Sequence, residues 1–402
     1  MKMNLFEPTE KKGHRVTIAS DWAPIWTYEA LMEADPLAVY GDLLPLLRGS
    51  DLNIVNVECV LGEKGAPIPK AGPCLRGDEK VALAALTQVP FHVATLANNH
   101  SMDYGPESLE ETLALLRGAG IRTVGAAMNG EEAACPLIIE NDRLRLGIIN
   151  CGEGEACASL AGGPGAYVFD LEVQEAQIRA LKGEVDAVVV IFHGGREHAP
   201  MPPPYVVRAL RRFAEAGAAA VIAHHPHVPQ GLEVHAGVPI AYSQGNFVFR
   251  REVPSYYRNT GYLVHLDFDA KKEVNLSITP YRLKPEGVFV LRGEEQREFL
   301  AELEAISRYL ADPRAIADLW DAFGDEYGDG EKTVISQLER GLEEYGRSRE
   351  SAIARWHHYF FAPAHQQYFE NAFERLKRGT FGTSPEWARE WVRRWKEREL
   401  EG

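Results

Sequence analysis

Val221-Ile222-Ala223-His224-His225-Pro226-His227, followed closely by Tyr242-Ser243-Gln244-Gly245-Asn246-Phe247, is the stretch that organises the chain. An apolar run of strand character ends in three histidines within four positions. Pro226 fixes its own φ and pushes His225 out of the α region, so the spacing predicts extended backbone. Side chains two apart on extended backbone leave the same side, which pairs the imidazoles of His225 and His227. Two imidazoles at the end of a buried strand are what a loop offers a divalent metal. By the same alternation His224 points away from them, toward the packed side.

Working outward, short apolar runs alternate with helical stretches from about residue 15 to 250. Strands are expected over 15–20, 52–57, 91–96, 185–192 and 218–223, and helices over 36–48, 78–87, 106–117 and 205–216. This alternation predicts an α/β fold with buried sheets. Tyr262–Asp269 and Val274–Tyr281 alternate apolar and polar residues around a turn, as an antiparallel hairpin does. Beyond about 290 the pattern is helical and rich in Glu, Arg, Trp and Tyr. The expected organisation is therefore an α/β domain over 1–290 and a helical extension over 291–402. The aromatics of that extension, among them Trp356, Tyr359, Phe360, Phe361, Trp387, Trp391 and Trp395, suit core packing or a homo-oligomer contact.

In each expected strand a polar residue sits just past the apolar run: Asp21, Glu58, Asn99, His193 and the His225/His227 pair. Ligands of α/β proteins bind outside the carboxyl ends of strands. Singly, each has a plain alternative as a turn, cap or loop residue. Together, carboxylates, an Asn and imidazoles suit borderline divalent metals such as Mn, Zn or Fe, one ion or two. A central carboxylate would bridge two ions ~3.5–4 Å apart, as in metal-assisted hydrolysis. His100, beside Asn99 and near Asp103, has the chemistry of a general acid. Arg196 and the pair Arg250-Arg251, with Asn246, are candidate substrate-binding residues, Arg196 because it can bind an anionic group bidentately and the pair as an addition to an anion-binding rim. His198, His235 and His265 have no sequence partners and read as surface or sheet residues.

The chain of 402 residues carries a formal charge of −15, which argues against a nucleic-acid partner. Cys59, Cys74, Cys135, Cys151 and Cys157 form no disulfide framework, and no run approaches the ~20 apolar residues of a membrane span. The N-terminus has no signal-peptide pattern, so a cytoplasmic location is expected. GxSxG, P-loop and dinucleotide-fold signatures are absent.

Several motifs, in order, resemble the CapA-type proteins of poly-γ-glutamate capsule synthesis, a family related to the calcineurin-like metallophosphoesterases. They are Ser20-Asp21, Asp51-Leu52-Asn53-Ile54-Val55-Asn56-Val57-Glu58, Ala97-Asn98-Asn99-His100-Ser101-Met102-Asp103-Tyr104-Gly105, His193-Gly194-Gly195-Arg196-Glu197, His224-His225-Pro226-His227-Val228 and Tyr242-Ser243-Gln244-Gly245-Asn246-Phe247-Val248-Phe249. The resemblance implies a four-layer metallophosphoesterase-like sandwich of two packed mixed sheets flanked by helices. It also implies Asp21, Glu58, Asn99, His193, His225 and His227 as metal ligands, Glu58 in the bridging place, and His100 as the acid. The implied substrate is an anionic small molecule or polymer, cleaved at a phosphoester or γ-glutamyl-type amide. The same resemblance admits a non-catalytic accessory component with a structural metal site. Metallophosphoesterases begin with Asp-x-His, whereas Asp21 is followed by Trp22-Ala23.

Overall fold

The computed structural model describes residue 11 and residues 13–400. Its two main sheets are built from fourteen strands, labelled in chain order: β1 (His14–Trp22), β2 (Leu52–Val57), β3 (Val93–Thr95), β4 (Arg122–Val124), β5 (Leu137–Glu140), β6 (Arg145–Gly152), β7 (Ala187–His193), β8 (Ala220–His224), β9 (Leu232–His235), β10 (Val238–Ala241), β11 (Asn246–Val248), β12 (Thr260–Phe268), β13 (Val274–Lys284) and β14 (Gly287–Val290). The first sheet runs β14-β13-β12-β1-β2-β3-β4, with β11 also paired to β1. The second runs β9-β10-β8-β7-β6-β5. Strands β1 to β4 are mutually parallel, and so are β6, β7, β8 and β10.

The central strands of both sheets are buried on both faces, which accounts for their near-continuous apolar runs. Val16, Ile18 and Ile54 from one sheet and Ile148, Val189, Ile191 and Ile222 from the other form one inter-sheet core. Truncating any of these isoleucines to Ala would cost ~2–5 kcal/mol. The outer face of the first sheet packs on α1 (Thr27–Ala34), α2 (Leu44–Arg48), α3 (Glu79–Gln88) and α4 (Pro106–Gly118). After the short α5 (Gly130–Ala134), helices α6 (Leu171–Leu181) and α7 (Pro204–Ala216) cover the second sheet. The order of layers is helix, sheet, sheet, helix, as the motifs implied.

Two local expectations are corrected. Residues 36–48 are not one helix: a 3-10 segment, Ala38–Leu43, is broken at Gly41 (φ 47), where a Cβ would meet the Val288 carbonyl oxygen at 2.4 Å. Helix α1 and helix α6, the latter capped by the Asp170 side chain, went unread in the sequence.

Residues beyond 290 form α8 (Gly293–Leu310), α9 (Pro313–Glu326), α10 (Glu331–Tyr345), α11 (Arg349–Phe361), α12 (Pro363–Arg378) and α13 (Glu386–Leu400). They share a core with the α/β layers, in which Ala199 and Met201 pack among Leu319, Trp320, Phe323 and Tyr368. Glu399 of α13 accepts hydrogen bonds from Tyr257 N (2.8 Å) and Arg258 Nε (3.0 Å), tying the loop after β11 to the last helix. Tyr359 and Trp395 are buried and Trp356 and Trp391 partly so, while Phe360, Phe361 and Trp387 face solvent.

Candidate metal centre

Because parallel strands end on the same edge, the fold gathers residues remote in sequence. Asp21 sits beside a bulge late in β1, in register with Asn56 of β2 and Asn246 of β11. Glu58 follows β2, and its N–H donates to the Trp22 carbonyl (2.9 Å). Asn99 follows β3, His193 ends β7, and the pair His225 and His227 follows β8. The site therefore straddles both sheets.

His193 Nε2 lies 3.0 Å from Asn99 Oδ1, 3.4 Å from Glu58 Oε1 and 3.2 Å from His225 Nδ1. His227 Nδ1 is 3.5 Å from Asp21 Oδ2, and its Nε2 is 3.8 Å from Glu58 Oε1. All six residues expected as ligands are buried and meet in this one cluster. Three overlapping trios bring potential ligand atoms within 4.8 Å of one another: Glu58–His193–His225, Asp21–Glu58–His227 and Glu197–His225–His227. Glu58 is common to two of them. Glu197 stood in the sequence only as the last residue of the His193-to-Glu197 motif.

The backbone differs from the extended path expected at the histidines. His225 has φ 103 and His227 φ 58, both left-handed, and such residues hold ~1–3 kcal/mol of strain each. The imidazoles converge through this strained turn, not through strand alternation. His224 points elsewhere, its Nδ1 3.1 Å from Ser20 Oγ in the interior. His198, expected at the surface or in a sheet, lies within 6.1 Å of the His227 ring and lines the cavity described below. His265 bridges Thr17 and Thr279 inside the first sheet, and His235 pairs with Glu215 outside.

Both carboxylate oxygens of Glu58 are buried and have no hydrogen-bond partner among the described residues. An isolated buried carboxylate costs several kcal/mol, a penalty a divalent cation would remove. Burial raises the Glu58 pKa, and burial reinforced by Glu58 pushes Asp21 up to about 6. Burial also pushes His193 and His225 down to about 3, leaving them neutral with free lone pairs. Burial opposes charge on His227 too, but Glu58 and Asp21 outweigh it and raise its pKa. The donor set fits a borderline divalent metal.

His100 stands beside this cluster with Nδ1 2.6 Å from Asp103 Oδ2. Burial works against the Asp103 charge, yet His100 and Lys70 hold its carboxyl below the usual range. Lys70, unremarked in the sequence, donates to Asp103 Oδ1 (2.6 Å) and to the Asn99 carbonyl (2.6 Å). Asn56, also unremarked, donates to Asp21 Oδ1 (2.9 Å) and lies 3.3 Å from His193 Nδ1.

A cavity of about 340 Å³ opens onto the cluster. Asn99, His100, His227 and Asn246 line its inner end. Asn246 Oδ1 is 2.9 Å from His227 Nδ1. Arg196 lines the cavity, and its guanidinium is 2.9 Å from His365 Nε2. Arg250 instead donates to Thr27 Oγ1 (3.3 Å), and its neighbour Arg251 takes the place on the cavity wall. Helices α10 to α12 supply the outer wall through Arg340, Arg355, His358 and His365. His358 Nδ1 lies 3.3 Å from Glu155 Oε2, joining helical extension to α/β core. No sequence signal marked this wall, since its histidines and arginines read as helix-surface residues.

Two face-to-face mixed sheets between helices, with carboxylates and imidazoles converging at their strand ends, define a four-layer α/β sandwich with a candidate metal centre. Residues 15–251 match the family model described as bacterial capsule synthesis protein PGA_cap, and the chain belongs to that family. It is 32% identical to the PGA biosynthesis protein CapA of Bacillus subtilis over 174 residues, 42% of this chain and 46% of that one. Over 254 residues it is 28% identical to a probable polyglutamine synthesis accessory protein of Mycobacterium tuberculosis (60% and 63%). With the capsule biosynthesis protein CapA of Bacillus anthracis the figures are 30% over 219 residues (52% and 53%). The matched region thus spans about half the length of these relatives. Among solved structures, a phosphatase from Mycoplasma pneumoniae aligns at TM-score 0.42 and 14% identity, covering 72% of this chain and 98% of that one. A 5′-nucleotidase precursor from Thermus thermophilus aligns at 0.39 and 14%, covering 74% and 59%. Among the described residues no helix is long and apolar enough to cross a membrane.

Proposed function

We propose that the protein is a metal-dependent hydrolase of CapA type, acting on an anionic substrate in poly-γ-glutamate or capsule-type metabolism. The scissile bond is a phosphoester or a γ-glutamyl-type amide. The observation that carries this reading is Glu58, buried between two trios of ligand atoms with no hydrogen-bond partner among the described residues. Asp21, Glu58, Asn99, His193, His225 and His227 would hold one or two divalent ions, with Mn, Zn and Fe the candidates. When bound, such an ion supplies Lewis acidity toward water and toward an oxyanion. His100, oriented by Asp103, delivers the proton to the leaving group. Arg196 and Asn246 line the approach and bind substrate; Arg250 supports the adjoining wall. Five free thiols accord with a reducing, cytoplasmic setting.

Metal analysis of the purified protein, with turnover screens on phosphoesters and γ-glutamyl amides, tests this reading. Stoichiometric transition metal is expected, and His100→Ala should abolish turnover while leaving metal content unchanged. A protein that binds no such metal sinks it. A second reading, a non-catalytic accessory component with a structural metal, has one observation in its favour. The residue two after Asp21, where metallophosphoesterases carry a histidine, is Ala23, buried in the apolar core. Bound metal without turnover on any substrate of either class would select it.

A further inference from the structure

The cavity is lined by Asn99, His100 and His227 of the candidate metal centre, by the carboxylates of Glu155 and Glu197, and by five arginines, in a chain whose formal charge is −15. Two of those arginines are already committed: Arg355 to Glu344, and Arg258 to Glu399 at 3.0 Å. The other three, Arg196, Arg251 and Arg340, form no ion pair with a carboxylate among the described residues. Arg251 lies 4.3 Å over the Trp26 ring, and Arg340 stands exposed on α10. Arg196 is the decisive member. It is 5% exposed, its guanidinium lies 5.4 Å from the Tyr327 ring and 5.6 Å from the Tyr368 ring, its buried Nε has no hydrogen-bond partner among the described residues, and His365 fixes one guanidinium nitrogen. A buried guanidinium with an idle N–H costs free energy that an oxyanion would recover through a charge-assisted hydrogen bond.

We propose that Arg196, Arg251 and Arg340 form a second anion subsite, opposite the metal centre, that binds a carboxylate or phosphate group borne at the end of the substrate remote from the scissile bond. This rests on the hydrolase reading above and adds the substrate class: a molecule with two separated oxyanions. Two of the subsite's features come from the helical extension, Arg340 on α10 and the His365 contact on α12. The extension therefore sets specificity, while the α/β sandwich supplies the metal ligands and the acid.

The test uses the full chain loaded with Mn²⁺ and ligands that cannot be hydrolysed, so that binding is read apart from turnover. Calorimetric titration compares phenylphosphonate with its 4-carboxy derivative and with 1,4-phenylenebisphosphonate. The wild-type protein should bind one or both of the ligands that carry a second oxyanion group about tenfold more tightly than phenylphosphonate, as one charge-assisted contact allows. The stronger of the two tells a carboxylate from a phosphate. In Arg340→Gln and in Arg251→Gln that preference should shrink toward unity, and in Arg340→Glu it should invert; metal content and melting temperature on the same samples verify the fold. Absence of binding, absence of preference in the wild type, or a preference that persists in all three variants overturns the proposal. Preference without turnover on any substrate would leave the subsite standing and remove only the hydrolase reading.

Discussion

Lys70 and Asp103 form an ion pair sealed from solvent, Nζ to Oδ1 at 2.6 Å, with side chains 2% and 0% exposed. The other oxygen of that carboxylate holds His100, so the pair fixes the proposed acid from behind. Removing one partner of a buried pair strands the other charge, at ~3–5 kcal/mol. Lys70→Met should lower stability by that order in chemical denaturation. The double variant Lys70→Met/Asp103→Asn should recover part of it. A single variant as stable as the wild type would mean that the pair contributes nothing.

Metal should act as a folding ligand. An ion bound only by the native state stabilises it by ~4 kcal/mol at a thousandfold excess over Kd. Chelation should therefore lower the melting temperature of the wild type. Glu58→Gln should reduce metal stoichiometry and shrink the effect of chelation, whereas His224→Ala, at a residue bonded to Ser20 in the interior, should leave metal binding intact. Equal metal loss in both variants would remove the distinction between the two positions.

Glu153 gives a pH dependence of definite sign. Burial pushes its carboxyl up to about 8, against hydrogen bonds from Tyr205 and the Gly195 N–H. The native state then holds a proton that the unfolded chain releases above its ordinary carboxylate range, so stability falls as pH rises from about 4.5 to about 8. At ~1.4 kcal/mol per pH unit the upper bound is roughly 4–5 kcal/mol. Glu153→Gln should flatten that part of the denaturation midpoint against pH. An unchanged slope would assign the dependence to other groups.

Gly341 lies inside α10, where alanine ordinarily gains about 1 kcal/mol of helix propensity. Here the added Cβ would come 2.1 Å from the Trp356 indole nitrogen on α11. Overpacking costs ~1–3 kcal/mol, so Gly341→Ala should destabilise the protein. A gain in denaturation midpoint would show that the indole moves aside freely.

The six ligand candidates were legible because each follows an apolar run, and parallel strands deliver such positions to one edge. The backbone at His225 was not. Pro226 excludes the α region for the residue before it, which leaves extended backbone as the ordinary choice, but the turn takes φ 103 instead. Lys70 lies in a Pro- and Gly-rich loop where nothing local announces burial. His358 and His365 sit on separate helices, and only tertiary packing turns them toward Glu155 and Arg196. Gly41 hid in a run of helical character because its break depends on the close approach of Val288, far along the chain.

The outer wall of the cavity has a consequence in time as well as in space. Every metal-ligand candidate lies between Asp21 and His227, whereas Arg340, Arg355, His358 and His365 come more than a hundred residues later. In the order of synthesis the donor set is therefore complete before any residue of that wall is added, so the enclosure of the site is the last part of it to be made.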